Sequence, residues 1–187
     1  MEKNRILNIF PELMQIKDSA LREKCVQTWQ FVLDESHVNE EELLHTLCHK
    51  SLKDCPITLV SHTRGVIQLS MRIAEQFLQD FSEYVSLDMD NVIAAACLHD
   101  VGKVYEHCRD NSGELTWAAK HLHHPITGAA AAMHTNCPAQ IVYAIANHSH
   151  EGDSAKLTPL LFVIRNADEM YYKYLFFGFE KKAKAGW

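Results

Sequence analysis

The segment AAACLHDVGK, Ala94 to Lys103, joins a run of small and apolar residues to a His-Asp pair, then to a glycine and a lysine. Apolar residues at this density predict a buried helix with His99 and Asp100 near its C-terminal end. A buried imidazole beside a buried carboxylate is costly unless the two are hydrogen-bonded or bind something. Adjacent side chains on a helix point about 100° apart, so His99 and Asp100 are expected to diverge rather than pair face to face. Such divergence suits a metal site in which a carboxylate bridges two ions. Taken alone, an HD dipeptide reads instead as a helix-end histidine beside a solvated aspartate, and it is the rest of the chain that favours the metal site.

The flanking segments repeat the pattern. On the N-terminal side, Thr58 or Ser61 opens a helix running to about Phe81, on which His62, Val66, Leu69, Ile73 and Phe77 form one apolar stripe. Asp88 to Asn91 punctuate the chain before the central helix. Beyond Lys103, a turn at Asp110-Asn111-Ser112-Gly113 leads to HLHHPITGAAAAMH. Pro125 fits the first turn of that helix. His124 stands at its start, and His121 and His123 fall in the preceding loop. Pro138 opens AQIVYAIANHSHEGD, where Ile141, Ile145 and His148 share a face. Pro159 opens the last strong helix, with Leu161, Ile164, Asp168 and Tyr171 or Tyr172 on one face. Ahead of all these, Ile16 to Asp34 and Glu40 to Leu52 read as amphipathic helices, and Cys55-Pro56 as a break. Leu43, Leu44 and Leu47 are expected to face inward on the second of them. His45 and His49, four apart on it, offer a weaker chelating pair. No strand-like alternation or internal repeat persists, so the expected fold is all-α: an N-terminal helical extension, residues 1–57, packed on a helical core, residues 58–187.

Composition narrows the function. The 187 residues suffice for one ordinary domain, and no apolar run approaches a membrane span. MEKNRILNIFPELMQ lacks the apolar core and cleavage site of a signal peptide. The six cysteines include no CxxC pair and read as free thiols in a reducing, cytoplasmic compartment. A net charge of −6 argues against a nucleic-acid polymer or an anionic membrane as partner. An anionic substrate then needs a local positive centre, which a metal supplies.

Taken together, H…HD…H…H…D resembles the HD superfamily of metal-dependent phosphohydrolases, through SHTRGV, HDVGK, HHPITGA, NHSHEG and RNADEM between Ser61 and Tyr174. The resemblance implies an HD-domain helical bundle, with His62, His99, Asp100 and Asp168 as the basic metal quartet. By the same resemblance His124 and His148 serve a second ion, Asp100 bridges both, and Lys103 contacts phosphate. The cofactors implied are one or two divalent transition-metal ions. Imidazole and carboxylate donors without thiolate suit Fe, Mn, Zn, Co or Ni, with iron or manganese favoured. Two such ions, about 3.5–4 Å apart, make a hydroxide available near neutral pH to attack phosphorus. His148 is preferred to His150 because it continues the Ile141–Ile145 face, and His124 to His123 by its spacing to Gly128. His150, Arg64 and Arg165 are left as substrate contacts, although either arginine could simply pair with an acid. His107, His121 and His134 read as surface or capping residues.

The Gly-Tyr-Pro signature of the cyclic-di-GMP branch is absent after His150. The segments look closer to the small diadenosine-tetraphosphate hydrolase branch, from which the N-terminal extension departs. The function expected is hydrolysis of a nucleotide or small organophosphate, with homo-oligomerisation left open. Two alternatives are a di-iron oxygenase of the same fold and a non-catalytic ligand-sensing module. The C-terminal LFFGFEKKAKAGW reads as a packed tail, a cover for the cavity or a dimer contact.

Overall fold

In the computed structural model, residues 3–49 and 57–184 are described, so the Cys55-Pro56 break lies outside the described residues. Nine α-helices are present among them and no extended strand: α1 (Lys3–Ile9), α2 (Ser19–Ser36), α3 (Glu40–His45), α4 (Leu59–Phe81), α5 (Met89–Leu98), α6 (Trp117–His121), α7 (His124–His134), α8 (Ala139–Asn147) and α9 (Pro159–Lys184). Short 3₁₀ segments cover Pro11–Gln15, Val101–His107 and His150–Gly152.

Polar residues fix where the helices start. Asp18 caps α2 by accepting from the Ala20 and Leu21 amides. Thr58 and Ser61 cap α4 reciprocally, and Asp88 receives the Asn91 amide at the start of α5. Each bond satisfies a donor that an α-helix leaves open at its first turn.

The helix containing the opening segment lies at the centre. From Val92 to Leu98 its side chains are all buried, and α5 packs against α2, α4, α8 and α9. Its three consecutive alanines, Ala94 to Ala96, let neighbouring backbones approach on every side. The N-terminal helices share this core rather than forming a separate one. Phe10 and Trp29 are fully buried and stack at 4.7 Å, in one hydrophobic cluster with Val66, Ile93 and Ile145. Polar ties reinforce the attachment. Asp90 on α5 accepts the Lys17 and Asp18 amides, and buried Glu12 accepts from Arg64 and Gln68 on α4.

Two local expectations need correction. The second N-terminal helix stops at His45, because Thr46 turns extended and Leu47 pairs with Thr58 in an antiparallel bridge. Leu44 is consequently exposed, and His45 and His49 do not share a helical face. Secondly, His121 ends α6, a short helix capped by Thr116, instead of lying in a loop.

Candidate metal centre

All but one of the side chains of interest sit at or near helix ends; Asp168, expected at such an end, instead lies inside α9, which runs on to Lys184. Helix α5 terminates at Leu98, His99 keeps helical dihedrals, and Asp100 departs with φ −105° and ψ 9°. That departure overturns the expected divergence of the pair: the Asp100 carboxylate comes within 3.3 Å of His99 Nε2. The following 3₁₀ turn stacks residues three apart on one side. Lys103 Nζ therefore reaches Asp100 Oδ2 at 2.7 Å. Gly102 makes this turn compatible with its neighbour, since any Cβ there would collide with the His124 carbonyl and Thr127. The same close approach sets His124 beside Asp100.

Five side chains, His62, His99, His124, His148 and Asp168, gather with Asp100 in one cluster. Asp100 Oδ2 lies 3.2 Å from His62 Nε2 and 3.3 Å from His99 Nε2. Oδ1 lies 3.3 Å from His124 Nε2 and 3.5 Å from His148 Nε2. Asp168 Oδ1 completes the first side, 3.0 Å from His62 Nε2 and 3.6 Å from His99 Nε2. His62, His99, Asp100 and Asp168 thus form one potential ligand group, and Asp100, His124 and His148 a second that shares Asp100.

The outer nitrogens reveal which way the rings face. His99 Nδ1 lies 2.6 Å from the Ala96 carbonyl, and His148 Nδ1 lies 2.8 Å from that of Ile145. A carbonyl only accepts, so both Nδ1 atoms carry hydrogen. His124 Nδ1 faces the Glu106 carboxylate at 3.2 Å in the same way. In their neutral forms these three rings direct the Nε2 lone pair inward. The lone pairs of His124 and His148 then face the Asp100 carboxylate and one another, their Nε2 atoms 3.3 Å apart, and His99 Nε2 lies 3.4 Å from His62 Nε2. Both Asp100 oxygens are buried without a hydrogen bond of normal geometry. Lone pairs so crowded repel unless positive charge sits among them. Two ligands about 2.1 Å from one ion lie roughly 3.0–3.4 Å apart at tetrahedral or octahedral angles. The donor set and its spacings therefore fit divalent metal binding.

Electrostatics agree. Burial opposes a charge on His99, but Asp100 and Asp168 push its pKa up to about 10. Burial likewise opposes ionisation of Asp100, yet Lys103 and His99 hold its carboxyl well below the usual range. Asp168 is held low against its burial by His62 and His99. Lys103 stays protonated although buried, because Asp100 and Asp168 outweigh the desolvation. Burial moves His148 the other way and keeps it neutral, with charge on His99 adding to the effect. Without metal, a proton on His99 meets the demand for positive charge.

The remaining sequence candidates are distributed differently. Arg64 is turned to Glu12, at 2.9 Å, and is not part of the cavity wall. Arg165 lines a recess beside His148 and Asp168, where it pairs with Asp153 and donates to the Gly152 carbonyl. His150 lies on the cavity rim with its ring largely in solvent, beside Glu151. His107, read from sequence as a surface or capping residue, lines the cavity, as do His49 and His123. Glu106 and Glu151 escaped the sequence reading, and Tyr171 and Tyr172 were given no role in the site. Glu106 and Glu151 had no apolar stripe to mark them, whereas the tyrosines were read only as face residues of the last helix. Tyr171 meets His62 edge-on at 5.5 Å, and Gly65 leaves room for its ring.

Among known proteins, the chain is similar to the dihydroneopterin 2′,3′-cyclic phosphate phosphodiesterase of Methanocaldococcus jannaschii, at 25% identity over 166 residues. The match takes in 83% of this chain and 64% of the relative, so the chain spans about two thirds of that protein's length. No solved structure matches. No helix among the described residues is long and apolar enough to cross a membrane. The sequence model of the HD domain matches residues 59–172, from the first residue of α4 to Tyr172, and so contains all six residues of the cluster. With that match over more than half its length, the chain belongs to the HD domain family.

Proposed function

We propose that this protein is a metal-dependent phosphohydrolase or phosphodiesterase acting on a nucleotide or small organophosphate. The observation that carries the reading is the Asp100 carboxylate, buried and shared between two sets of imidazoles. His62, His99, Asp100 and Asp168 would hold one ion, and Asp100, His124 and His148 a second; iron or manganese is favoured. Bound there, such ions supply a water of lowered pKa as nucleophile and positive charge for the phosphoryl oxygens.

The chain's own residues supply the rest. Lys103 brings a permanent ammonium to the cavity beside Asp100, placed to hold a phosphoryl oxygen. Because it stays protonated, its charge is available throughout the neutral range. Glu106 orients His124 by accepting from Nδ1, and the Ala96 and Ile145 carbonyls orient His99 and His148. The relative's name records action on a cyclic phosphate, which makes cyclic phosphodiesters the first substrates to examine here. The family match beginning at residue 59 supports a division near residue 57 into extension and core.

The test is hydrolysis by protein reconstituted anaerobically with Fe(II) or Mn(II), followed by phosphorus NMR across cyclic phosphates, linear diesters, monoesters and nucleotides. Release of a phosphorus product that is lost in Asp100→Asn is expected. No product with any metal would refute the reading, and oxygen uptake in its place would favour the di-iron oxygenase.

A further inference from the structure

The cavity above the cluster has a volume of about 380 Å³. Among the described residues lining it, Lys103 stands as the one Lys or Arg against Glu106, Glu151 and Asp168. The adjoining recess adds Arg165 and Lys173, but it also adds Asp153 and Glu169. Each of these cations already faces an acid. Lys103 Nζ is 2.7 Å from Asp100, Lys173 Nζ is 2.5 Å from Glu169, and Arg165 pairs with Asp153. Arg64, the other arginine beside a cluster residue in sequence, is held by Glu12.

Glu151 occupies a distinctive place on the rim. One carboxylate oxygen is 3.1 Å from His123 Nδ1 and the other 3.2 Å from His150 Nδ1. The two imidazoles are 62% and 79% exposed and the glutamate 25%, so its negative charge is the more recessed group. Against its partial burial, a hydrogen bond involving Ser149 holds its carboxyl below the usual range.

We propose that Glu151 determines specificity by charge: it admits a single phosphodiester group, cyclic or open, carried by an uncharged organic moiety, and turns away polyphosphates. This rests on the phosphohydrolase reading above. A phosphodiester bears one negative charge near neutral pH, and all of it lies on the phosphorus that would sit beside Lys103. A triphosphate carries its further charges outward to the rim, where Glu151 meets them without a compensating Lys or Arg among the described wall residues. His49 and Tyr172, whose rings lie 5.5 Å apart on the wall, offer aromatic surface to a heterocycle.

The experiment compares Mn(II)-loaded wild type with E151Q, using adenosine 2′,3′-cyclic phosphate and ATP as substrates. Wild type is expected to favour the cyclic phosphate, and E151Q to narrow the ratio of the two kcat/KM values about tenfold. That is the size expected for one charge roughly 12 Å from another near a protein surface. Calorimetric affinities of the metal-free proteins for ATP and AMP give the same comparison without turnover, with the ATP-to-AMP affinity ratio rising in E151Q. Equal loss on both substrates, or an unchanged ratio in both measurements, would overturn the proposal. Should neither protein turn over any phosphoester, the phosphohydrolase reading fails, and the affinity ratios still decide whether Glu151 filters charge.

Discussion

Replacing Asp100 by Asn keeps the shape of the side chain and removes the charge on which both ligand groups depend. In the metal-free protein, Lys103 Nζ loses a partner at 2.7 Å and His99 loses the larger of the two influences that bring its pKa to about 10. The larger consequence is for metal. Taking a dissociation constant a thousandfold below the metal concentration, binding stabilises wild type by about 4 kcal/mol. For a chain of this size that raises Tm by roughly 8–16 °C. Loss of the shared ligand should weaken binding at least about a hundredfold, more than is usual for losing only an orienting partner. The stabilisation then falls to about 1.4 kcal/mol, or roughly 3–6 °C. Calorimetric melting with Mn(II) and with a chelator, alongside metal analysis of the dialysed proteins, measures both quantities. Circular dichroism of the metal-free variant establishes that it is folded. If Asp100→Asn retained the full metal content and the full metal-dependent rise in Tm, the placement of the site would be refuted.

Metal binding should also release protons. His99 holds a proton up to about pH 10, so near pH 8 an entering ion must displace it, and affinity should rise with pH between about 6.5 and 10. Calorimetry in buffers of different ionisation enthalpy counts the protons, and a count of zero at pH 8 contradicts the assignment. Glu106→Gln leaves His124 in place but weakens its orienting contact, so metal affinity at the second ligand group should drop about 10–100-fold while α-helical content is unchanged; a competitive chelator titration checks this. Gly65→Ala, which in most helix interiors would stabilise by about 1 kcal/mol, should here destabilise by about 1–2 kcal/mol, because the new methyl collides with the Tyr171 ring. Urea unfolding gives the sign, and a stabilised variant would show that Tyr171 is free to move away.

Much of this structure can be read along the chain because the informative signals are local. Thr58, Asp88 and Pro159 mark helix starts, and the apolar stripes that include His62 and His148 place chemistry at helix ends, whereas Asp168 falls inside its helix. The ring orientations are less accessible to such reading. They depend on the Ala96 and Ile145 carbonyls and on Glu106, an acid 18 residues before its partner that no periodicity distinguishes. The short α3 is a similar case: Leu43, Leu44 and Leu47 suit a longer helix, but pairing of Leu47 with Thr58 satisfies the backbone differently. Arg64 illustrates a tertiary override, since Glu12, 52 positions away, draws its guanidinium to the N-terminal segment. In the opposite direction, the helix break at Asp100 turned two side chains expected to diverge into neighbours.

The most direct measurement is anomalous diffraction from crystals of metal-reconstituted protein, recorded on both sides of the metal's absorption edge. Two peaks flanking the Asp100 carboxylate are predicted, one contacting His62, His99 and Asp168 and the other His124 and His148. Stoichiometric metal found elsewhere in the molecule, with these side chains uncoordinated, would contradict the account.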